Sequence, residues 1–436
     1  MIASQMNLGV FAVGNGNHIA GWRHPGASKT GVDIATFVQI GQSAERGKLD
    51  LMFLADNVQC STEDHPGFMS RLEPFSTLSA VSALTSHIGL VASGSTSCSE
   101  PFNLARLILS LDHVSQGRAG WNIVTTSTPA SAANFGREIL SHAERYEMAA
   151  EFVDVVRGLW DSWEPQAIVA DTVTGQFVQA DKVHTLNYEG EHYRVRGPLN
   201  LCRSPQGQPV MVQAGSSQGG QAFAAKYAEL VLTVQIDVEV AREFYAGIKK
   251  GAADQGRSPA HCKVLPGLLP VVGGTEQEAK EKFNALASYV DEHSALRTMS
   301  DRIGHDLSGY PLDGPIPDLP LAEHIQGYAR MMLTAQYRDN HTLRDLYNLF
   351  AVSRGYAVCC GSPEQVADTM QDWFRRQACD GFILVPAHFP EALDDFVDAV
   401  VPILQARGLF RRDYEGETLR SHLGLPMPEN RYSPHV

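Results

Sequence analysis

Residues 117–163 read GRAGWNIVTTSTPASAANFGREILSHAERYEMAAEFVDVVRGLWDSW, a short apolar strand, a polar loop and a long amphipathic helix. The helix is predicted to begin after Ser141, because Ser at the cap position and Glu144 three residues later form a capping box. His142 and Tyr146 are four residues apart and therefore share one helix face. They lie at the helix N-terminus, where the dipole favours an anion. The stretch predicts a strand–loop–helix unit with an anion site at its centre.

The same strand–helix rhythm runs through the rest of the chain. Apolar runs that predict eight strands, each followed by helical periodicity, occupy residues 7–13, 51–55, 88–93, 120–125, 209–214, 230–234, 262–271 and 381–385. Eight strand–helix units in one chain are typical of a (β/α)8 TIM barrel, although a doubly wound sheet shows the same alternation. We predict a single α/β domain over residues 1–436.

Three segments interrupt or follow this rhythm. Insertions are expected at about 164–208, after the fourth strand, and at about 291–360, after the seventh. The first contains two short β-favouring runs around Glu189-Gly190 and predicts a small hairpin. The second is a candidate lid, since long irregular segments in compact enzymes usually carry function. Residues 411–436 are expected to form an extended arm over the surface or a neighbour.

Composition narrows the class of protein. The chain has 436 residues and a formal net charge of −14, which disfavours nucleic acid as a partner. We expect no membrane span, because there is no run of 18 apolar residues, and a cytoplasmic protein, because the N-terminus lacks a signal-peptide pattern. The seven cysteines show no metal spacing, and no third ligand is spaced to join His18 and His24, so no metal site is expected.

Polar residues at the ends of predicted strands form the candidate site. In a barrel the ligand lies where the strands end, and the side chains found there are Asp56, Ser93, Thr96, Asn122, Ser216 and Ser217, joined by His142 and Tyr146. Taken singly, such residues are more often turn formers or helix caps. Their matching positions favour a shared site.

The loop GSSQGG at 215–220 is the most specific of these features. A strand, a glycine turn, hydroxyl groups and a helix N-terminus together direct backbone N–H groups at a phosphate, although an ordinary βα turn remains the alternative. The sequence has no nucleophile elbow and no HExxH motif. Without such machinery, a bound cofactor is expected to perform the chemistry.

Several long motifs resemble one protein family. They are FLADN at 53–57, SGSTS at 93–97, ANFGRE at 133–138, SHAERYEMAAEFVDVVRGLWDSW at 141–163, GPLNLCRSPQGQPVMVQAGSSQGG at 197–220 and YEGETLRSHLGL at 414–425. The chain resembles the bacterial-luciferase-like superfamily, in its branch of two-component monooxygenases related to nitrilotriacetate, EDTA and dibenzothiophene-sulfone monooxygenases.

The resemblance implies a TIM barrel that binds FMN as FMNH2, supplied by a separate NAD(P)H:flavin reductase, with O2 as co-substrate. Oxygen transfer to a small organic substrate would proceed through a C4a-hydroperoxyflavin. By position, Tyr146 and Ser217 would contact the phosphate, Asp56 and residues 93–97 the flavin ring and ribityl chain, and Asn122 the ring. His142 would hold the cofactor or manage a proton, and His18 is the other candidate catalytic residue.

Two other functions remain open from the sequence. One is a deazaflavin-dependent oxidoreductase of the same superfamily, and the other is a non-catalytic flavin-binding protein. A homodimer or homotetramer is expected by analogy with the family. The substrate is not specified: a basic wall at the barrel mouth would favour polycarboxylates, and an apolar wall would favour sulfur heterocycles or terpenoids.

Overall fold

The computed structural model describes residues 5–62, 65–215, 217–292, 296–297, 299–300, 305–319 and 341–433. Ser216 of the predicted site and a large part of the predicted lid at 291–360 lie outside the described residues. Within the described residues no helix is both long enough and apolar enough to cross a membrane.

Eleven strands are present in the described chain. In order they are β1 Asn7–Phe11, β2 Leu51–Leu54, β3 Gly89–Ser95, β4 Ala119–Val124, β5 Tyr188–Glu189, β6 Arg194–Val195, β7 Val210–Ala214, β8 Leu230–Thr233, β9 Lys263–Val272, β10 Ala357–Gly361 and β11 Gly381–Leu384. Eight of them pair in parallel in the circular order β1-β2-β3-β4-β7-β8-β9-β11, and β11 pairs with β1 to close the ring. The predicted (β/α)8 barrel is confirmed.

Helices surround this barrel. They are α1 Ile34–Arg46, α2 Pro66–Met69, α3 Pro74–Ser82, α4 Pro101–Val114, α5 Pro129–Ala133, α6 His142–Trp160, α7 Gln218–Tyr227, α8 Val238–Asp254, α9 Glu276–Ser288, α10 Leu343–Ser353, α11 Pro363–Arg375, α12 Glu391–Asp395, α13 Val401–Ala406 and α14 Leu419–His422. A π-helical turn, Phe396–Val400, joins α12 to α13. Helix α6 begins with the predicted capping box between Ser141 and Glu144.

Both interruptions of the barrel rhythm contain β structure. In the first, β5 and β6 form the predicted antiparallel hairpin. In the second, β10 was not predicted, and it pairs in parallel with the second half of β9. Its sequence, AVCCG, is short and has two cysteines in place of the branched residues that mark the other strands. The pairing therefore depends on the exposed edge of the long strand β9.

The C-terminal residues cover the amino-terminal end of the barrel. Leu419, Leu423 and Leu425 are buried and belong to the same apolar cluster as Phe11 and Leu51 of the barrel strands. The sequence expectation of an arm over the surface is therefore wrong for this part of 411–436. Leu419 and Leu423 are one helical turn apart, so α14 presents both to the barrel interior.

Candidate active site at the barrel mouth

Two helix N-termini meet at one side of the mouth, at the carboxyl ends of β4 and β7. The rings of His142 and Tyr146, on the first turns of α6, have centroids 4.9 Å apart. His142 Nε2 lies 3.3 Å from the hydroxyl of Ser217. Ser217 caps α7 and accepts a hydrogen bond of 3.1 Å from the backbone N–H of Gly220. The structure thus brings three of the predicted residues together across two helices.

Glycines at the start of α7 keep this cluster open. A Cβ atom on Gly219 would lie 2.8 Å from His142 Cε1, and one on Gly220 would lie 3.0 Å from the Tyr146 hydroxyl. A side chain at either position would push one of the two rings aside. The loop therefore approaches Tyr146 closely enough for hydroxyl groups and backbone N–H groups to surround one small anion.

The floor of the mouth carries buried polar atoms. Asn122 on β4 donates a hydrogen bond of 2.8 Å to the hydroxyl of Ser93 on β3, and its Oδ1 has no partner. Gln213 on β7 is also buried, and its Oε1 has no partner. Burying such atoms without a hydrogen bond is costly, so they indicate a ligand face. Thr96 differs, because its hydroxyl donates to the carbonyl of Val124 at 3.2 Å.

The loop after β1 forms the opposite side of the mouth. His18 is fully buried, and its Nδ1 accepts a hydrogen bond of 2.9 Å from the N–H of Ala20. Burial lowers the pKa of His18 to about 3, so the ring is neutral and its proton resides on Nε2. Nε2 has no partner, and the side-chain oxygens of Asn15 and Asn17 beside it have none either. His18 is therefore a hydrogen-bond donor and a poor base near neutral pH.

Asp56 lies next to this loop, at the end of β2. Its carboxylate is open to solvent, but the surrounding walls partly desolvate it and raise its pKa, against the opposing charge of Arg71. Arg71 and Arg354 both lie on the ring of Phe68, with guanidinium carbons 4.6 and 4.3 Å from its centroid. Burial lowers the pKa of Arg71 to about 10, and Arg354 adds to this effect. This wall of the mouth is basic.

A separate cavity of about 480 Å³ opens beside the ends of β3 and β4. It is lined by residues that include Ser97, Arg137 and Arg145 and by Tyr193 of the β5–β6 insertion. Arg137 is paired with Glu100 at 2.6 Å. The first insertion thus contributes a wall to a space next to the mouth.

Sequence reasoning missed several residues that face the mouth. Gln213 interrupts an otherwise apolar strand, VMVQA, and this polar position could have marked it. Arg71 and Arg354 gave no such signal, because each is a single basic residue outside any motif and only the fold brings them to one ring. The fold also brings His388 and Glu391 next to His24, so that the three residues place possible metal-ligand atoms close together. The spacing of these residues along the chain did not indicate the cluster.

These features define a class of protein: a closed (β/α)8 barrel in which two helix N-termini and buried polar side chains meet at the strand ends. The family model described as luciferase-like monooxygenase matches residues 14–380. The chain belongs to the luciferase-like monooxygenase family.

Relatives of known activity and structure agree with this placement. The chain is 48% identical over 434 residues to N-acetyl-S-(2-succino)cysteine monooxygenase of Bacillus subtilis (strain 168), with 98% of each chain covered. It is 43% identical over 442 residues to nitrilotriacetate monooxygenase component A of Aminobacter aminovorans, again over 98% of each. The crystal structure of a riboflavin lyase with modified FMN and riboflavin has a TM-score of 0.84 at 31% identity, over 97% of this chain and 96% of that one. The family resemblance predicted from the motifs is confirmed.

Proposed function

We propose that this protein is a monooxygenase that binds FMNH2 at the barrel mouth and uses O2 to oxygenate a small organic substrate. The observation that carries the proposal is the cradle at Ser217, Gly219 and Gly220 beside Tyr146, together with unpartnered buried oxygens on the floor. A bound reduced flavin would supply the oxygen-transfer chemistry with O2, and the residues of the mouth would hold and orient it.

The residues present suit such a flavin. Its phosphate needs several hydrogen-bond donors and few nearby negative charges. The hydroxyls of Tyr146 and Ser217 and the N-terminus of α7 offer such donors. Its ring carries an N–H group that needs an acceptor, and Asn122 Oδ1 and Gln213 Oε1 are acceptors without a partner. His142, held against Ser217, positions the cradle. Ser93 orients the Asn122 amide, and Asp56 borders the ring side.

His18 acts on the substrate side in this proposal. Its neutral ring offers the Nε2–H group to the mouth, where it orients an oxygen atom of the bound reactants by hydrogen bonding. The same burial excludes water from that wall, which protects a reactive oxygen species from discharge as peroxide.

A separate reductase is part of the proposed system. One relative, nitrilotriacetate monooxygenase component A, bears a name that denotes one part of a larger system. We infer that an NAD(P)H:flavin reductase supplies FMNH2, as the family resemblance implies.

The basic wall supports a carboxylate-bearing substrate. Arg71 and Arg354 are held against one ring, and both guanidinium groups can hydrogen-bond to a bound carboxylate. The two named relatives act on compounds whose names denote carboxylic acids. With N-acetyl-S-(2-succino)cysteine as probe, Arg354→Gln should raise KM about 10–100-fold, because a charged hydrogen bond is lost. The exposed Arg242→Gln should leave KM unchanged.

Rapid mixing tests the function itself. Anaerobic protein loaded with FMNH2 is mixed with O2, and the flavin spectrum is followed with and without candidate carboxylates. We expect an oxygenated flavin species that persists alone and yields oxygenated product with the right substrate. Oxidation that releases one peroxide per flavin with every substrate would contradict a monooxygenase. Binding of a deazaflavin in preference to FMNH2 would favour the hydride-transfer alternative.

A further inference from the structure

A cluster of two histidines and one glutamate lies where the loop after β1 meets the loop after β11, and none of the three is among the predicted flavin contacts. His24 follows the short 3-10 turn Gly21–Arg23 in the loop after β1, whereas His388 and Glu391 follow β11. One ligand atom from each of the three lies within 4.8 Å of the others. We infer that His24, His388 and Glu391 form a binding site for a divalent transition-metal ion, with Zn²⁺ as the natural probe.

The two imidazoles lack the hydrogen bonds that would otherwise explain them. Their rings stack with centroids 3.8 Å apart, and the Nδ1 atom of each is buried without a partner. His388 is only 7% exposed. His24 Nδ1 lies 3.8 Å from Glu391 Oε2, which is too long for a hydrogen bond. The three side chains therefore lie close together without forming hydrogen bonds to one another.

A metal ion would satisfy all three at once. Zn²⁺ binds His nitrogen and carboxylate oxygen at about 2.0–2.2 Å, so its ligand atoms lie within about 4 Å of one another. The two stacked rings are inclined by only 12°, and an imidazole binds a metal in its own ring plane, so the His24 ring has to turn out of the stack. With that turn and a movement of the half-exposed Glu391 carboxylate, the present spread of 4.8 Å closes. Two nitrogens and one oxygen leave a fourth position open to water.

The backbone already holds the two loops in register. Asn17 N donates to Pro386 O at 3.1 Å, His18 N to Ala387 O at 3.0 Å, and Ser28 N to Phe389 O at 3.3 Å. The nearby Lys282 is neutralised by Asp395 at 2.8 Å. The two histidines therefore approach without needing a fold change, and a bound ion would tie the loop that carries His18 to the end of the last strand.

Metal titration of the whole protein tests the site. Protein stripped with a chelator is titrated with Zn²⁺ by calorimetry, and Co²⁺ is added to a parallel sample to read its visible ligand-field bands. We expect one ion per chain with a micromolar or tighter Kd, and Co²⁺ bands typical of nitrogen and oxygen ligands.

Variants identify the ligands. His388→Gln and Glu391→Gln should each weaken Zn²⁺ binding at least 10–100-fold, because even partners of a metal ligand are typically worth about that much. His261→Gln, in a loop away from the cluster, should bind as the wild type does. Glu391 is half exposed, so Glu391→Gln should fold normally. This variant therefore tests the site even if His388→Gln fails to fold. No binding, or binding that both cluster variants leave intact, would overturn the site.

Discussion

The two ends of the barrel differ in the buried groups that they leave without a partner. At the amino-terminal end Arg420 donates to Glu229 at 2.6 and 2.8 Å and to the carbonyl of Gln208 at 2.9 Å. Asp50, fully buried, accepts from Asn7, from the N–H of Leu8 and from Arg411. At the mouth the amide oxygens of Asn122 and Gln213 have no partner, whereas the unpartnered atoms of the bottom are Asp112 Oδ2, Ser204 Oγ and His422 Nδ1.

This difference separates stability from binding within one fold. At the amino-terminal end of the barrel, polar groups that are paired with other protein groups stabilise the fold. Removing one partner of such a pair leaves the other buried and unsatisfied. Polar groups without partners cost stability and are retained where a ligand completes them. Substitutions at the bottom should therefore unfold the protein, and substitutions at the mouth should weaken ligand binding.

Arg420→Ala is expected to have the largest effect. It leaves Glu229 buried without its cation, so the free energy of unfolding should fall by about 3–5 kcal/mol. Urea unfolding followed by circular dichroism measures this, and FMN affinity of the folded fraction should be unchanged. Arg242→Ala, which breaks an exposed pair with Glu239, should cost less than about 0.5 kcal/mol. An equal loss of unfolding free energy in Arg420→Ala and Arg242→Ala would contradict the stabilising role of the buried pair.

Acid should destabilise the mouth through its neutral histidines. Burial lowers the pKa of His18 and His65 to about 3, far below the usual value. As the pH falls, these histidines therefore bind protons in the unfolded chain but not in the folded chain. Stability that is present above about pH 6.5 is lost as the pH falls. The loss from pH 7 to pH 5 should be about 1–2 kcal/mol per histidine.

The variant His18→Asn isolates one of these contributions. Between about pH 7 and 5 its unfolding free energy should depend on pH less steeply than that of the wild type. The difference in slope corresponds to the uptake of up to one proton on unfolding. At the bottom, burial raises the pKa of Asp112 to about 6, so its contribution falls as the pH rises from about 4 to 6. His422 there titrates like the mouth histidines, with a pKa lowered to about 4. An unchanged slope in His18→Asn would exclude a neutral, buried ring.

Asn122→Leu should affect binding and spare stability. The change removes a buried oxygen that has no protein partner together with the 2.8 Å hydrogen bond to Ser93, so the unfolding free energy should fall by only about 1 kcal/mol, well below the cost of Arg420→Ala. FMN affinity should fall about 10–100-fold, the cost of a lost hydrogen bond at a buried site. Ser93→Ala serves as the control, because it keeps the Asn122 oxygen and should weaken FMN less. Destabilisation without a loss of affinity would place Asn122 with the bottom residues.

Tyr146→Phe is expected to have the smallest effect. It removes one hydroxyl at the cradle and should weaken FMN about tenfold, the worth of one hydrogen bond to an anion. Riboflavin, which lacks the phosphate, should bind both proteins equally. Fluorescence titration with the two flavins measures the difference. A parallel loss of riboflavin affinity would indicate a general packing defect.

The sequence predicts the barrel and the local elements that form one side of the candidate site. The strand periods, the capping box at Ser141 and the glycine loop before α7 are local signals, and local structure follows them. The other side depends on contacts between distant segments. Arg354 reaches Phe68, and His388 reaches His24, only after β11 closes against β1. No period or motif records such pairs.

The structure of the protein with FMN bound under anaerobic, reducing conditions tests the central claim most directly. We predict that the phosphate lies within hydrogen-bonding distance of the Tyr146 and Ser217 hydroxyls. The flavin ring should contact Asn122 and Gln213, so that their buried oxygens gain partners. A flavin bound elsewhere, or a cradle that stays free of phosphate at saturating FMN, would contradict it.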